Sequence, residues 1–423
     1  MHSKKIILGL FVWLASVGVA YYVGQKLNDV GPGPAVSTNT AIPSVPSSVA
    51  GRSNTLAPSS PSAAADSLMK LSQENLDEAL RQADELNEND QRALLAEAFA
   101  LPANDYRRAR MLRTLLSQLA ETAPLDALAM AKEIGSLRET ERARVDILQI
   151  WAKKDPVAAL AWAKVELANA PLRSQSSQLL AIYRGYAANN PQAAFADALA
   201  MPTANSGEQR IQSSALEVIL QEQIENGGLL EAKLQVESLE EGGMKNRLLS
   251  ELVDQWASFD PTGAAAYVNS LSAELAASLA PRLVGEWAEN DPEGAAAWLS
   301  AQELDENTLS RASTAIIREW TRYDLAASAE WLNSQPSSPA LDRAVMSYTY
   351  RAAQEDPASA MTWAESIDND WMRTRMMQHV AANWREEDQE SFQSYLNSSE
   401  FDEAQKKQLE EARPFRGRGR GWR

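Results

Sequence analysis

Residues 287–298 read WAENDPEGAAAW, and variants of this twelve-residue phrase recur along most of the chain. Close copies occupy residues 151–162 and 256–267, and weaker copies precede and follow them. We call the residue equivalent to Trp287 the anchor of each copy. The nine anchors are Leu119, Trp151, Tyr186, Gln223, Trp256, Trp287, Trp320, Ala352 and Trp384. Their spacing of roughly 33 residues, kept over all eight intervals, predicts an array of repeated supersecondary units.

Each copy predicts a pair of helices joined at the Asp-Pro step. Asp291 is a good helix N-cap, because its carboxylate accepts from free backbone N–H groups, and Pro292 suits the first helical position. The anchor therefore belongs to the end of the first helix, helix A, and Asp-Pro begins the second, helix B. An apolar or aromatic residue precedes every anchor by four positions, one helical turn: Leu115, Ile147, Ile182, Ile219, Leu252, Leu283, Ile316, Tyr348 and Val380.

Two positions of helix B also repeat. Eight residues after the anchor six units have Ala, which lets paired helices approach closely: Ala127, Ala159, Ala194, Ala264, Ala295 and Ala360. Eleven residues after the anchor most units have a large side chain: Met130, Trp162, Leu234, Tyr267, Trp298, Trp331, Trp363 and Tyr395.

This pattern of repeated positions resembles a degenerate tetratricopeptide-like array over about residues 70–412. The resemblance implies a right-handed α-solenoid of about nine helix-turn-helix repeats, with a concave groove that binds proteins or peptides. The Asp-Pro turn, the mostly missing helix-A glycine and the absent late proline depart from that family. A Sel1-like or HEAT-like relative therefore stays open.

The N-terminus predicts a single transmembrane helix in residues 1–27. Ile6 to Val23 form an uncharged apolar run of eighteen residues, about the length that spans a bilayer core. Lys4 and Lys5 precede it, so the positive-inside rule predicts a cytoplasmic N-terminus and a body on the outer side of a bacterial inner membrane, in the periplasm. A cleaved signal peptide is the alternative, because Gly18 and Ala20 would fit a cleavage site.

The remaining segments complete the predicted organisation. Residues 28–64, rich in Pro, Ser and Ala, predict a disordered linker that tethers the body to the membrane. Residues 65–412 contain the repeats, and residues 413–423 form a basic Arg/Gly tail. In that tail Arg416, Arg418, Arg420 and Trp422 are candidate contacts for anionic lipid, polysaccharide or the acidic body itself, unless the tail is merely solvated.

Composition argues against several classes of function. The net charge of −17 disfavours binding of nucleic acid by the body. The chain has no Cys and only two His, His2 and His379, so thiolate chemistry is excluded and multi-histidine metal sites are disfavoured. No spacing selects a pair of carboxylates for acid–base work. We therefore expect no enzyme activity, metal, cofactor or small-molecule substrate.

Aromatic and basic residues both recur at fixed repeat positions. The aromatic ladder predicts packing between helices, with carbohydrate stacking as the alternative. Trp371 and Trp422 fall outside the ladder, and we expect them to be exposed. Nine residues before the anchor six units have arginine, in what the pattern predicts to be the first turn of helix A: Arg110, Arg142, Arg247, Arg311, Arg343 and Arg375.

The six arginines have two alternative interpretations, one structural and one functional. They predict either ion pairs with acidic residues of the neighbouring hairpin, which is the expectation we favour, or a basic stripe that binds a partner in the groove. The sequence as a whole predicts a membrane-anchored scaffold that binds proteins. Open alternatives are a module that binds envelope glycan or anionic lipid, an enzyme of unrecognised type, and a cytoplasmic body whose tail contacts nucleic acid.

Overall fold

The computed structural model describes residues 62–413, and every regular element in that range is helical. Nine hairpins, each a helix A followed by a helix B, succeed one another: hairpin 1, α4 (Tyr106–Ala120) and α5 (Pro124–Ala131); hairpin 2, α6 (Leu137–Lys154) and α7 (Pro156–Glu166); hairpin 3, α8 (Leu172–Asn189) and α9 (Pro191–Leu199); hairpin 4, α10 (Ser206–Glu225) and α11 (Leu229–Glu237); hairpin 5, α12 (Gly243–Ala257) and α13 (Pro261–Ser270); hairpin 6, α14 (Ala273–Trp287) and α15 (Pro292–Ser300); hairpin 7, α16 (Glu306–Trp320) and α17 (Leu325–Ser334); hairpin 8, α18 (Asp342–Ala352) and α19 (Pro357–Glu365); hairpin 9, α20 (Asp370–Glu387) and α21 (Gln389–Ser398).

Other helices flank and connect these hairpins. Helices α1 (Ala63–Glu74), α2 (Leu76–Ala83) and α3 (Glu88–Ala100) precede hairpin 1, and α22 (Glu403–Glu410) follows hairpin 9. Short 3₁₀ segments occupy Lys132–Ile134 and Pro339–Leu341. The predicted all-α fold of helix pairs packed in sequence is therefore confirmed for the residues that the structure describes.

The predicted turn chemistry is confirmed in seven of the nine hairpins. In each of these an Asp or Asn side chain accepts from a backbone N–H in the first turn of helix B: Asp155, Asn190, Asp260, Asp291, Asp324, Asp356 and Asp388. These caps satisfy donors that the first turn leaves without an intrahelical partner. Asp260 and Asp291 also accept the indole N–H of their own anchors, Trp256 and Trp287, at 3.3 and 3.1 Å.

The core consists of the positions that the repeat predicts. All nine residues four before the anchors are buried, and the six alanines eight after the anchors have no exposed surface. The small alanine side chain lets helix B lie close against helix A, which suits the close packing of protein interiors.

The hairpins form two layers. Helix A of each hairpin packs beside helix A of the next, and each helix B packs against its own helix A and the following one. One face of each helix A thus contacts helix B, two flanks contact neighbouring A helices, and no other described helix packs on the remaining face. We call this remaining surface the A face.

The N-terminal helices extend this pattern in a way that the sequence did not reveal. Helices α2 and α3 both pack on α1 and on helix A of hairpin 1. Arg110 of hairpin 1 pairs with Asp77 of α2, 33 residues earlier in the chain. This ion pair thus joins the N-terminal helices to hairpin 1.

Hairpin 4 departs from the other units. Its helix B begins one residue late, so Ala232 and Val236 fill the core positions and Leu234, predicted to be a large packing residue, is 55% exposed. The residue that falls in its place is Gln235. Instead of an Asp cap, Gly227 adopts φ +84°, and the amides of Gly227 and Gly228 donate to the carbonyls of Ile224 and Gln223. This is a glycine-based helix C-cap.

The predictions that concern the termini lie outside the described residues. These are the anchor in residues 1–27, most of the linker in residues 28–64, and the tail residues Arg416, Arg418, Arg420 and Trp422. Within residues 62–413 no helix is both long and apolar enough to cross a membrane.

Candidate functional site

The six repeated arginines lie on the A face but not in the predicted turn. Arg110, Arg142, Arg247, Arg311 and Arg375 are the fifth or sixth residues of their helices, and only Arg343 lies in a first turn. The A helices begin earlier than expected because caps such as Ser136 and Asn369 lie upstream. The helix dipole acts mainly within the terminal turn, so it has little effect on the five arginines that lie beyond that turn.

The expected ion pair with a neighbouring element forms at Arg110. Arg110 pairs with Asp77, and both side chains are more than half exposed. Arg142, Arg247, Arg311 and Arg343 are exposed and form no ion pair with the residues that the structure describes. Arg375 stacks on Trp371, with its guanidinium carbon 5.3 Å from the ring centre. Ion pairing between described residues therefore does not account for Arg142, Arg247, Arg311 and Arg343.

Arginine occupies this repeat position in three successive hairpins only at hairpins 7, 8 and 9. There Arg311, Arg343 and Arg375 lie on adjacent A helices. We call these three residues the arginine row. In hairpins 3, 4 and 6 the same position is serine, Ser177, Ser214 and Ser278, so the ladder is interrupted elsewhere.

A cleft of about 510 Å³ opens beside the arginine row. Its wall includes Ser310, which precedes Arg311, together with Arg343 and Met372. Pro339 and Ala340 add apolar surface, and the remaining lining residues are polar: Glu306, Asn307, Asp342, Asp368 and Asn369.

Asp342 organises this cleft. It is buried, and its carboxylate accepts from the backbone amides of Asp368 and Asn369 at 2.8 and 2.9 Å. Asn369 in turn caps helix A of hairpin 9 through the amide of Met372. This part of the cleft wall is therefore held by hydrogen bonds between hairpins 8 and 9, and the carboxylate of Asp342 is engaged in them.

Two aromatic side chains of hairpins 8 and 9 are also exposed. Trp371 is 65% exposed, as expected for a tryptophan outside the ladder. Tyr350 of hairpin 8 is 55% exposed and stacks on His379 of hairpin 9, with ring centres 4.8 Å apart. Burial lowers the pKa of His379, and Arg375 lowers it further, which favours the neutral imidazole in this stack.

The repeated tryptophans themselves form the core, as the packing interpretation predicts. Trp151, Trp287, Trp320 and Trp384 are buried. Within hairpins the anchor contacts the aromatic residue eleven positions later, as in Trp256 on Tyr267 with ring centres 5.5 Å apart. A surface for stacking sugars along this ladder is therefore excluded for the buried anchors.

Hairpins 4 to 6 have an acidic A face, in contrast to the arginine row. Glu217, Asp254 and Glu286 lie there partly buried, and Arg282 pairs with Asp254 at 2.7 Å. Burial raises the pKa of Glu217, and Glu251 adds to the effect; burial also raises the pKa of Glu286, helped by Asp254. The charge on the A face thus changes from acidic in hairpins 4 to 6 to basic in hairpins 7 to 9.

No arrangement for metal binding was found among the described residues, since no group of three or more His, Asp or Glu could hold an ion. The tail candidates Arg416, Arg418, Arg420 and Trp422 lie outside the described residues. No family model, curated protein or solved structure matches this chain.

Proposed function

We propose that this chain is a helical-repeat scaffold that binds a protein partner on the A face of hairpins 7 to 9. The observation that carries the proposal is the arginine row, two of whose members form no ion pair with described residues, beside a cleft and the exposed Trp371. Arginine and tryptophan are enriched among residues that dominate protein interfaces.

The proposal includes the finer features that the sequence predicts. The array is right-handed and tetratricopeptide-like, and its A face is the concave groove. The apolar run from Ile6 to Val23 anchors the chain in an inner membrane, and residues 28–64 extend the array into the periplasm. A scaffold of this kind collects a partner near the membrane without chemistry of its own.

A glycan-binding module is the second candidate, and it now depends on a smaller set of residues. Trp371 is an exposed ring beside the polar side chains of the cleft, which is an arrangement that also suits a sugar. The arginine row favours a partner with carboxylates along its length, which argues for the protein.

Site-directed photocrosslinking in intact cells tests the proposal. We expect a photoreactive amino acid at Tyr350, on the A face, to crosslink to a discrete protein. The same group at Leu230, which is 62% exposed on helix B of hairpin 4, is the matched control and should yield no such product. Equal crosslinking from both positions, or only glycan on Tyr350, would contradict the assignment.

A further inference from the structure

The arginine row has a spacing that selects a particular kind of ligand. Its members stand on adjacent A helices, and packed helices have axes about 8–10 Å apart. A polyproline II segment rises about 3.1 Å per residue with three residues per turn, so every third side chain faces the same way about 9 Å further on. The two repeats therefore match.

From this match we infer that the partner is an extended acidic segment, with carboxylates at every third residue set against Arg311, Arg343 and Arg375. The inference rests on the proposed function and names the chemistry of the partner. A guanidinium suits a carboxylate because two parallel N–H···O bonds can form. Arg311 and Arg343 have no such bonds to the residues that the structure describes.

Charge complementarity also limits where the acidic residues can lie. Glu306 and Asp368 line the cleft, and they would repel a carboxylate placed inside it. Pro339, Ala340 and Met372 give the cleft an apolar part. The cleft therefore accepts an uncharged side chain of the same segment, while the carboxylates remain on the row outside it.

Trp371 marks the end of this surface. Arg375 stacks on its ring, so the guanidinium and the indole are held together next to Met372. A proline ring of a polyproline II segment packs well on an aromatic face, and aromatic-lined grooves recognise such segments in other proteins. The row and Trp371 thus suit one ligand that is both acidic and rich in proline.

Peptides of equal composition test the spacing directly. We would measure the binding of fluorescent nine-residue peptides to the full-length protein in detergent by anisotropy. One peptide has Glu at positions 1, 4 and 7 among Pro and Ala, and the other has its three Glu in sequence. We expect the spaced peptide to bind about tenfold more tightly, and its binding to weaken as salt rises.

Variants test the location. Arg311→Gln together with Arg343→Gln should weaken binding of the spaced peptide about fivefold to tenfold, in line with two exposed charge pairs. Arg142→Gln is the matched control, because Arg142 occupies the same repeat position in hairpin 2 and is equally exposed and unpaired among described residues. It should leave binding unchanged, and no variant should shift the melting temperature appreciably.

Three results would overturn the inference: equal affinity for the two peptides, an equal loss with Arg142→Gln, or tighter binding of polygalacturonate than of the spaced peptide with the same loss in the double variant. If the peptides fail while Tyr350 still crosslinks to a protein, the acidic-segment assignment is wrong and the scaffold proposal stands.

Discussion

Hairpins 6 and 4 are both pairs of helices, but different residues stabilise the turn between the two helices. In hairpin 6, Asp291 caps helix B and accepts the indole N–H of Trp287. In hairpin 4, Gln223 takes the place of the tryptophan, and Gly227 with Gly228 closes the end of helix A instead. One unit is stabilised at the start of its second helix and the other at the end of its first.

The difference extends into the core. Gln223 is only 3% exposed, and neither its amide nitrogen nor its oxygen has a hydrogen-bond partner among the described residues. The buried oxygen of Gln235, which falls where other hairpins have the second aromatic, is also without a partner there. Hairpin 4 therefore has two amides where hairpin 6 has Trp287 and Trp298. The comparison shows that the repeat tolerates replacement of its signature residues when a glycine turn and aliphatic packing remain.

The largest expected effect comes from removing the anchor of hairpin 6. Trp287→Ala should lower the free energy of unfolding by about 3–5 kcal/mol, because a large buried ring is lost and its cavity remains. Chemical denaturation followed by circular dichroism measures the change. Trp371→Ala is the matched control and should change stability by almost nothing, because that ring is exposed. Similar losses from the two variants would show that the anchor is not a core residue.

A smaller effect of opposite sign is expected in hairpin 4. Gln223→Leu should raise the free energy of unfolding by about 1–3 kcal/mol, because it removes two buried polar atoms that have no partner in the described structure. The measurement is the denaturation midpoint of the purified protein. Gln221→Leu, on the same helix and less buried, is the control and should gain little. A loss of stability with Gln223→Leu would mean that the amide is satisfied in solution.

The smallest effect concerns a feature that the two hairpins share. Glu217 of hairpin 4 and Glu286 of hairpin 6 both have raised pKa values, so the folded chain retains these protons to higher pH than the unfolded chain. Stability therefore falls as pH rises from the ordinary value of 4.5 through the raised value. Glu217→Gln and Glu286→Gln should each slightly raise the melting temperature at pH 7.

A pH series of melting curves separates this effect from a general gain in packing. The advantage of either variant should disappear below pH 4.5, where the wild-type carboxyl is protonated in both states. Glu293→Gln is the control, since that residue lies on helix B of hairpin 6. An advantage that persists at low pH would assign the gain to something other than charge.

Most of the fold follows from the sequence because the anchor positions are local signals. The Asp-Pro step and the apolar residue one turn before the anchor act within a single hairpin, and both predictions are confirmed. The packing of α2 and α3 on hairpin 1 was not predicted, because these helices have neither an aromatic anchor nor an Asp-Pro step. Their place in the array depends on this packing, which no local pattern encodes.

The candidate site was predicted less completely, for a related reason. The repeat spacing identified all six arginines and the exposure of Trp371. It could not identify which arginines have acidic partners, because a pair such as Arg110 with Asp77 depends on how far side chains reach between hairpins. The cleft also escaped prediction, since its wall joins residues from three hairpins that are distant in sequence.

The neighbour-only packing of the A helices has a mechanical consequence. A chain whose hairpins contact only adjacent hairpins behaves as a series of coupled elements, and tension applied to its ends is transmitted through every junction in turn. The junctions need not be equally strong. Hairpin 4, whose helix B has no side-chain cap and whose core holds two amides, is the element expected to yield first under load. A tether that pulled on the N-terminal end would then extend the array at its middle, while the arginine row near the other end remained folded.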